Sequence, residues 1–116
     1  MDQPTLTTLA RELAESERLR EFVAAPAAAR ISEPLVPLFL AAVFLERGRP
    51  LICVFPDDSE ARDAAEAAGW FLGDQNVGLF ASRGVRWGSG LEPPPHLVGE
   101  RARALEILEA GGFVCA

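Results

Sequence analysis

Residues 51–55, Leu-Ile-Cys-Val-Phe, form an unbroken apolar run of β-forming residues set between Pro50 and Pro56. Such a run, too short for a buried helix and without polar alternation, predicts a strand covered on both faces, as in a parallel sheet clad by helices. The next residues fit that setting. Asp57 stands as N-cap with Glu60 three residues on, a capping-box arrangement. The helix they open is rich in alanine: Ala61, Ala64, Ala65, Ala68 and Leu72 face the sheet, and their small side chains permit a close approach. Gly73 is its C-cap.

The same alternation extends in both directions. Upstream, residues 28–32 (AARIS) read as a short strand. A helix follows over PLVPLFLAAVFLER, apolar nearly all round and so buried on more than one side. Pro34 and Pro37 suit its first turn, and Gly48 stops it. Downstream, residues 76–80 (NVGLF) read as a strand. A loop then runs from Ala81 to Pro95, and Val98, Ala102, Leu105 and Leu108 mark one face of a last helix. Gly111 and Gly112 end that helix, and a further strand starts at Phe113. Two helices lead the chain. Leu6, Leu9 and Leu13 give the first an apolar stripe; Ser16 caps a second carrying Leu19, Phe22 and Val23, which Pro26 ends. The predicted organisation is therefore a helical segment over 1–27 and an α/β domain over 28–116, with order β-α-β-α-β-loop-α-β and a parallel sheet. A closing strand with nothing after it reads as the N-terminal piece of a longer protein.

The 116 residues carry a formal net charge of −6 and no lysine, which argues against a surface built to neutralise nucleic-acid phosphates. No apolar run is long enough to cross a bilayer, and the N-terminus lacks a secretory pattern, so a cytoplasmic setting is expected. Cys53 and Cys115 each sit in an apolar strand-like run and read as buried, reduced thiols, with a disulfide or reactive thiol as the alternative.

Chemistry is sparse. The strand-to-helix junction at RISEPLVP has the outline of a phosphate loop, but Ser32, Glu33 and Pro34 stand where such a loop needs glycines and a lysine. Two prolines remove N–H donors there, and Glu33 repels phosphate. Asp57 and Asp58 after a buried strand have the form of a magnesium site, yet both are accounted for by capping and the helix dipole. His96, the one histidine, has no partner in sequence for a triad or metal site and reads as a helix-start residue. The glycine-rich loop ASRGVRWGSGLEPPPH is the most unusual stretch. Its Arg83, Arg86 and Trp87 either form a contact surface, as arginine and tryptophan do at interfaces and in stacking on bases, or Trp87 folds back on the domain while the arginines are merely solvated. No G-x-G-x-x-G fingerprint is present.

Three stretches taken together, GRPLICVFPDDSEARDAAEAAGWFLG, VGLFASRGVRW and PPPHLVGERARALEILEAGGFVCA, resemble the start of bacterial transcription-repair coupling factors. The matching positions are Gly48, Arg49, Pro50, Pro56, Asp57, Val98, Gly99 and Arg101. The resemblance covers roughly residues 28–116; each motif is weak, and their order and spacing carry it. It implies a UvrB-like subdomain with the fold of a helicase motor half, a P-loop NTPase-type sheet whose phosphate loop is degenerate at Ser32, Glu33 and Pro34. It also implies a non-catalytic scaffold, part of the module that recruits UvrA, with no cofactor or metal in this piece. ATP and magnesium belong to the motor domains of such a protein, and RNA polymerase binds through other domains. The expected partners are UvrA, mainly through the segment that follows, and other domains of the same chain, with weak DNA contact and no membrane. Arg83, Arg86, Trp87 and Arg101 are the candidate interaction surface. The alternative is a small Rossmann- or flavodoxin-like domain that binds a ligand or acts as an enzyme.

Overall fold

The computed structural model describes residues 6–48 and 50–116; residues 1–5 and Arg49, one of the matching positions above, lie outside the described residues. Three strands form one parallel sheet: β1 (Leu51–Cys53), β2 (Val77–Leu79) and β3 (Phe113–Cys115), in the order β1-β3-β2. Five helices surround it: α1 (Leu6–Ala14), α2 (Glu17–Ala24), α3 (Val36–Arg47), α4 (Asp58–Leu72) and α5 (Pro95–Glu109). The chain is thus an α/β protein with a small parallel sheet and flanking helices. Among the described residues no helix is long and apolar enough to cross a membrane.

The last strand in sequence is the central one. Phe113 pairs in register with Leu51 on one side and Val77 on the other, and its side chain is fully buried. Side chains alternate across the sheet, so Leu51, Cys53, Val77, Leu79, Phe113 and Cys115 share one face. That face meets α1, α3 and α4 in the main core, where Phe44 packs edge-on against Phe113 at 5.9 Å. The alanine face of α4 is buried as its spacing predicts, with Ala61, Ala64 and Ala68 against the sheet and Leu72 at its end. Helix α3 is apolar on all sides because it serves two clusters, the sheet on one side and α2 on the other, where Phe22 meets Phe39. It ends at Gly48, in the left-handed conformation (φ 61°, ψ 28°) that glycine adopts without steric cost.

The second face of the sheet has one helix. Gly78 lies under α5 so closely that a Cβ there would come within 2.9 Å of the Ala104 Cα. Ala104, Ile107 and Val114 form the small core of that contact. A helix is about 10 Å wide and strands are about 4.8 Å apart, so one helix covers two strands. Here those are β2 and β3. β1 is left bare, and Ile52 and Val54 are 55% and 81% exposed. This corrects the reading of residues 51–55 as a strand covered on both faces.

Three further expectations are corrected. Residues 28–32 form no strand: Ala25–Arg30 are exposed coil, because alanine is a poor strand former and offers little apolar surface to bury. The sheet therefore has three strands rather than four. Leu6 and Leu9 are exposed, and α1 buries Ala10 and Ala14 instead, since small side chains allow close approach to α3 and α4. In α5 the buried face is Ala104 and Ile107, while Val98, Ala102 and Leu105 are exposed; the close contact at Gly78 selects the alanine-bearing face.

Gly78→Ala forces α5 away from the sheet. A loss of roughly 1–3 kcal/mol in unfolding free energy is expected, of the size that overpacking produces, and urea denaturation of the two proteins measures it.

Candidate functional site

The candidate phosphate loop does not lie at a strand-to-helix junction, since no strand precedes it. Glu33 and Pro34 open a 3-10 turn, Glu33–Leu35, that leads into α3. Leu35 N–H donates to the Ser32 carbonyl at 2.8 Å, and the Ser32 hydroxyl caps nothing. The turn does reach the C-terminal end of β1, where a cleft of about 470 Å³ opens between α3 and α4. Val36, Pro37 and Phe55 supply apolar walls, and Glu33, Glu60 and Asp63 bring three carboxylates with no cation among the lining residues. Electrostatically this cleft opposes an anion and suits a neutral or cationic group.

Asp57 and Asp58 have separate tasks. Asp57 is the N-cap of α4, its Oδ1 accepting from Glu60 N–H at 2.8 Å. Asp58 caps nothing; its Oδ1 accepts from Ser82 N–H at 2.9 Å and its Oδ2 from the Ser82 hydroxyl. The reading of both aspartates as helix caps is corrected to this extent. The Ser82 bonds, side chain first, hold the Asp58 carboxyl below its usual range, aided by Arg62 and Arg101. Asp58 thereby ties the start of the 82–94 loop to the start of α4.

Arg101 secures the same loop from α5. Its guanidinium donates to the Ala81 carbonyl at 2.5 Å and lies 4.0 Å from the centre of the Phe80 ring. Of the four residues predicted as an interaction surface, Arg101 is thus held within the domain and partly buried. Beyond those anchors the loop turns outward. Gly84, Gly88 and Gly90 all have positive φ, and Trp87 is 84% exposed with the Arg83 guanidinium 5.2 Å from its ring centre. Arg86 is exposed beside it, its carbonyl accepting from Ser89 N–H. Of the two readings of Trp87, folded back or outward, the structure takes the outward one. Arg83 and Trp87 are brought together; Ser32, Glu33 and Pro34 sit at the separate acidic cleft.

His96 is exposed in the first turn of α5. Cys53 and Cys115 stand in register on adjacent strands as free thiols, and burial pushes them up to about 11 and about 12. Among the described residues no three carboxylate, thiol or imidazole groups gather closely enough to hold a metal ion.

A third surface was not anticipated: the face of the sheet left bare over β1. Strand β1 bonds to β3 through Leu51, Cys53 and Phe55, as in the 2.8 Å bonds from Phe55 N–H to the Ala116 carbonyl and from Ala116 N–H to the Cys53 carbonyl. The peptide groups of Ile52 and Val54 therefore point to the free edge. The opposite edge, β2, is partly shielded by the Arg103 guanidinium, which reaches the carbonyls of Asp74 (3.0 Å) and Val77 (3.5 Å). The sequence held one signal of the bare surface, an α5 with apolar residues on two flanks, Ala104/Ile107 and Val98/Leu105.

Two measurements check this account. Because the Asp58 carboxyl is depressed in the folded chain, its contribution is present above the unfolded carboxylate value and lost as pH falls through the folded one. The protection of the Ser82 amide, its exchange relative to the intrinsic rate at each pH, should therefore fall on acidification below about pH 4 in the native chain, and be already lost at neutral pH in Asp58→Ala. The pair Arg83→Ala/Trp87→Ala should change unfolding free energy by less than about 0.5 kcal/mol, as for exposed sites generally. A larger loss would mean that Trp87 packs on the domain.

Comparison of the chain with protein-family models, curated proteins and solved structures finds no significant match.

Proposed function

We propose that this chain is a non-catalytic contact domain of the kind that begins a transcription-repair coupling factor, within the module that recruits UvrA in nucleotide-excision repair. One observation carries the contact reading: a parallel sheet with one face bare over β1. Parallel sheets are covered on both faces, and a contiguous apolar surface left open marks an interaction site. Ile52, Val54 and Leu105 supply that surface here. The outward Arg83–Trp87 pair adds a second contact element of a type common at interfaces. The assignment to repair rests on the sequence resemblance at Gly48, Arg49, Pro50, Pro56, Asp57, Val98, Gly99 and Arg101. So does the finer fold reading, a helicase-motor-like subdomain with a degenerate phosphate loop at Ser32, Glu33 and Pro34. On that reading ATP and magnesium act elsewhere in the parent protein, in a cytoplasmic setting.

The acidic cleft favours a second reading, a small ligand-binding domain. It lies at the C-terminal end of β1, where α/β sheets take their ligands. Its charge selects amines or neutral molecules over nucleotides.

Surface-immobilised UvrA is the direct test. The chain is expected to bind with micromolar affinity, and Ile52→Arg to weaken binding tenfold or more with an unchanged circular-dichroism spectrum. Because UvrA is expected to bind mainly through the segment that follows in such proteins, absence of binding both by this chain and by a version extended with that segment overturns the repair assignment. A melting temperature raised by ATP with magnesium overturns the non-catalytic reading, through the stabilisation that any native-state ligand confers.

A further inference from the structure

The cleft between α3 and α4 has a mixed lining whose chemistry selects one kind of ligand. Val36, Pro37 and Phe55 form its apolar walls, and the small side chains of Ala64 and Ala67 leave room on the α4 side. Its volume, about 470 Å³, lies within the range of pockets that hold small molecules. Its acids come from both helices: Glu33 stands ahead of α3, and Glu60 and Asp63 lie about one turn apart on α4. All three are exposed, and none belongs to either ion pair found among the described residues.

The start of a helix usually attracts an anion, because its free N–H groups carry partial positive charge. Here that attraction is offset. Asp57 takes the Glu60 N–H of α4, and Pro34 and Pro37 bring no N–H to the entry of α3. A metal ion is served no better. It needs oxygens converging on one point, and among the described residues no three carboxylate, thiol or imidazole groups gather so closely. The remaining side chains of the lining are hydrocarbon.

A ligand with one ammonium group leaves most of this negative charge uncompensated. The lining matches instead a chain in which positive charges alternate with methylenes. Glu60 and Asp63, three residues apart on a helix, have Cβ atoms about 5–6 Å apart, a gap that two nitrogens joined through three or four methylenes can span. Glu33 offers a third charge from the α3 side. We propose that this cleft binds a linear aliphatic polyamine, with its nitrogens on Glu33, Glu60 and Asp63 and its methylenes on Val36, Pro37 and Phe55. The proposal rests on the reading of the cleft as a small-ligand site and names the ligand class. The cleft opens on the α3–α4 side of the sheet, away from the surface left bare over β1, so the two can be occupied together.

Isothermal titration of the whole chain with spermidine is expected to show one site per chain, with sub-millimolar affinity that weakens as salt is added. Glu60→Gln/Asp63→Asn should weaken binding tenfold or more. Glu106→Gln/Glu109→Gln removes the same charge from exposed positions at the far end of α5 and should leave it unchanged. Ala67→Leu fills the cleft without altering its charge and should also weaken binding tenfold, with an unchanged circular-dichroism spectrum. Equal losses from the two charge-removing pairs mean that spermidine is only a counter-ion of an acidic chain, and overturn the site. Benzylamine and benzyl alcohol separate the two ideas. If either binds as tightly as spermidine, the polyamine is overturned and the small-ligand cleft stands; if none of the three binds, both are overturned.

Discussion

Strand β3 joins the two halves of the molecule, because β1 and β2 each pair with it and not with one another. Gly112 and Ala116, which flank β3, bond to the β1 side, and the Cys115 carbonyl accepts from Phe80 N–H on the β2 side. Phe113, buried at the start of β3, sits where α3, α4 and both outer strands meet. Without this strand β1 and β2 have no hydrogen-bonded partner, and neither α4 nor α5 has a sheet to pack on. Three short parallel strands have few ladder bonds of their own, so packing of the helices on Phe113 and its neighbours supplies most of the cohesion.

The two faces of the sheet are then unequal for a geometric reason. Three helices crowd one face, and their alanines at 10, 41, 61, 64 and 68 let them lie close. On the other face Gly78 draws α5 down over β2 and β3, and the width of one helix does not reach β1. The exposed apolar residues of that face follow from the offset: Ile52 and Val54 lose their cover, and Leu105 is turned over the gap. The loop at 82–94 is a separate device. Asp58 and Arg101 hold its first residues from two helices, and three glycines with positive φ then let it carry Trp87 outward.

Much of the architecture was legible in the residues. Asp57, Gly48 and Gly73 marked helix ends through capping chemistry that is local, and local chemistry does not depend on what packs against it. The alanine face of α4 marked a core element through periodicity, and the apolar runs at 51–55, at 76–80 and from Phe113 marked strands, which the structure sets at 51–53, 77–79 and 113–115. The run at 28–32 misled because its small residues tolerate a strand without requiring one. The α5 stripe misled because a helix with two apolar flanks does not say which flank meets the sheet. Of the candidate site residues, Trp87 and Arg83 come together as neighbours in sequence allow, whereas the bond from Ser82 to Asp58 spans 24 residues and has no local signature.

Sequence alone determined the class of this protein: a parallel α/β sheet clad by helices, acidic, with an RISEPLVP turn whose residues do not suit a phosphate. Those properties follow from periodicity, capping and side-chain charge, which are fixed one residue or one turn at a time. Tertiary structure decided the number of strands, the central place of β3, the buried flank of α5 and the bare face over β1. Each of these depends on how closely two elements approach, and at Gly78 and Ala104 that distance is set by the absence of a single Cβ.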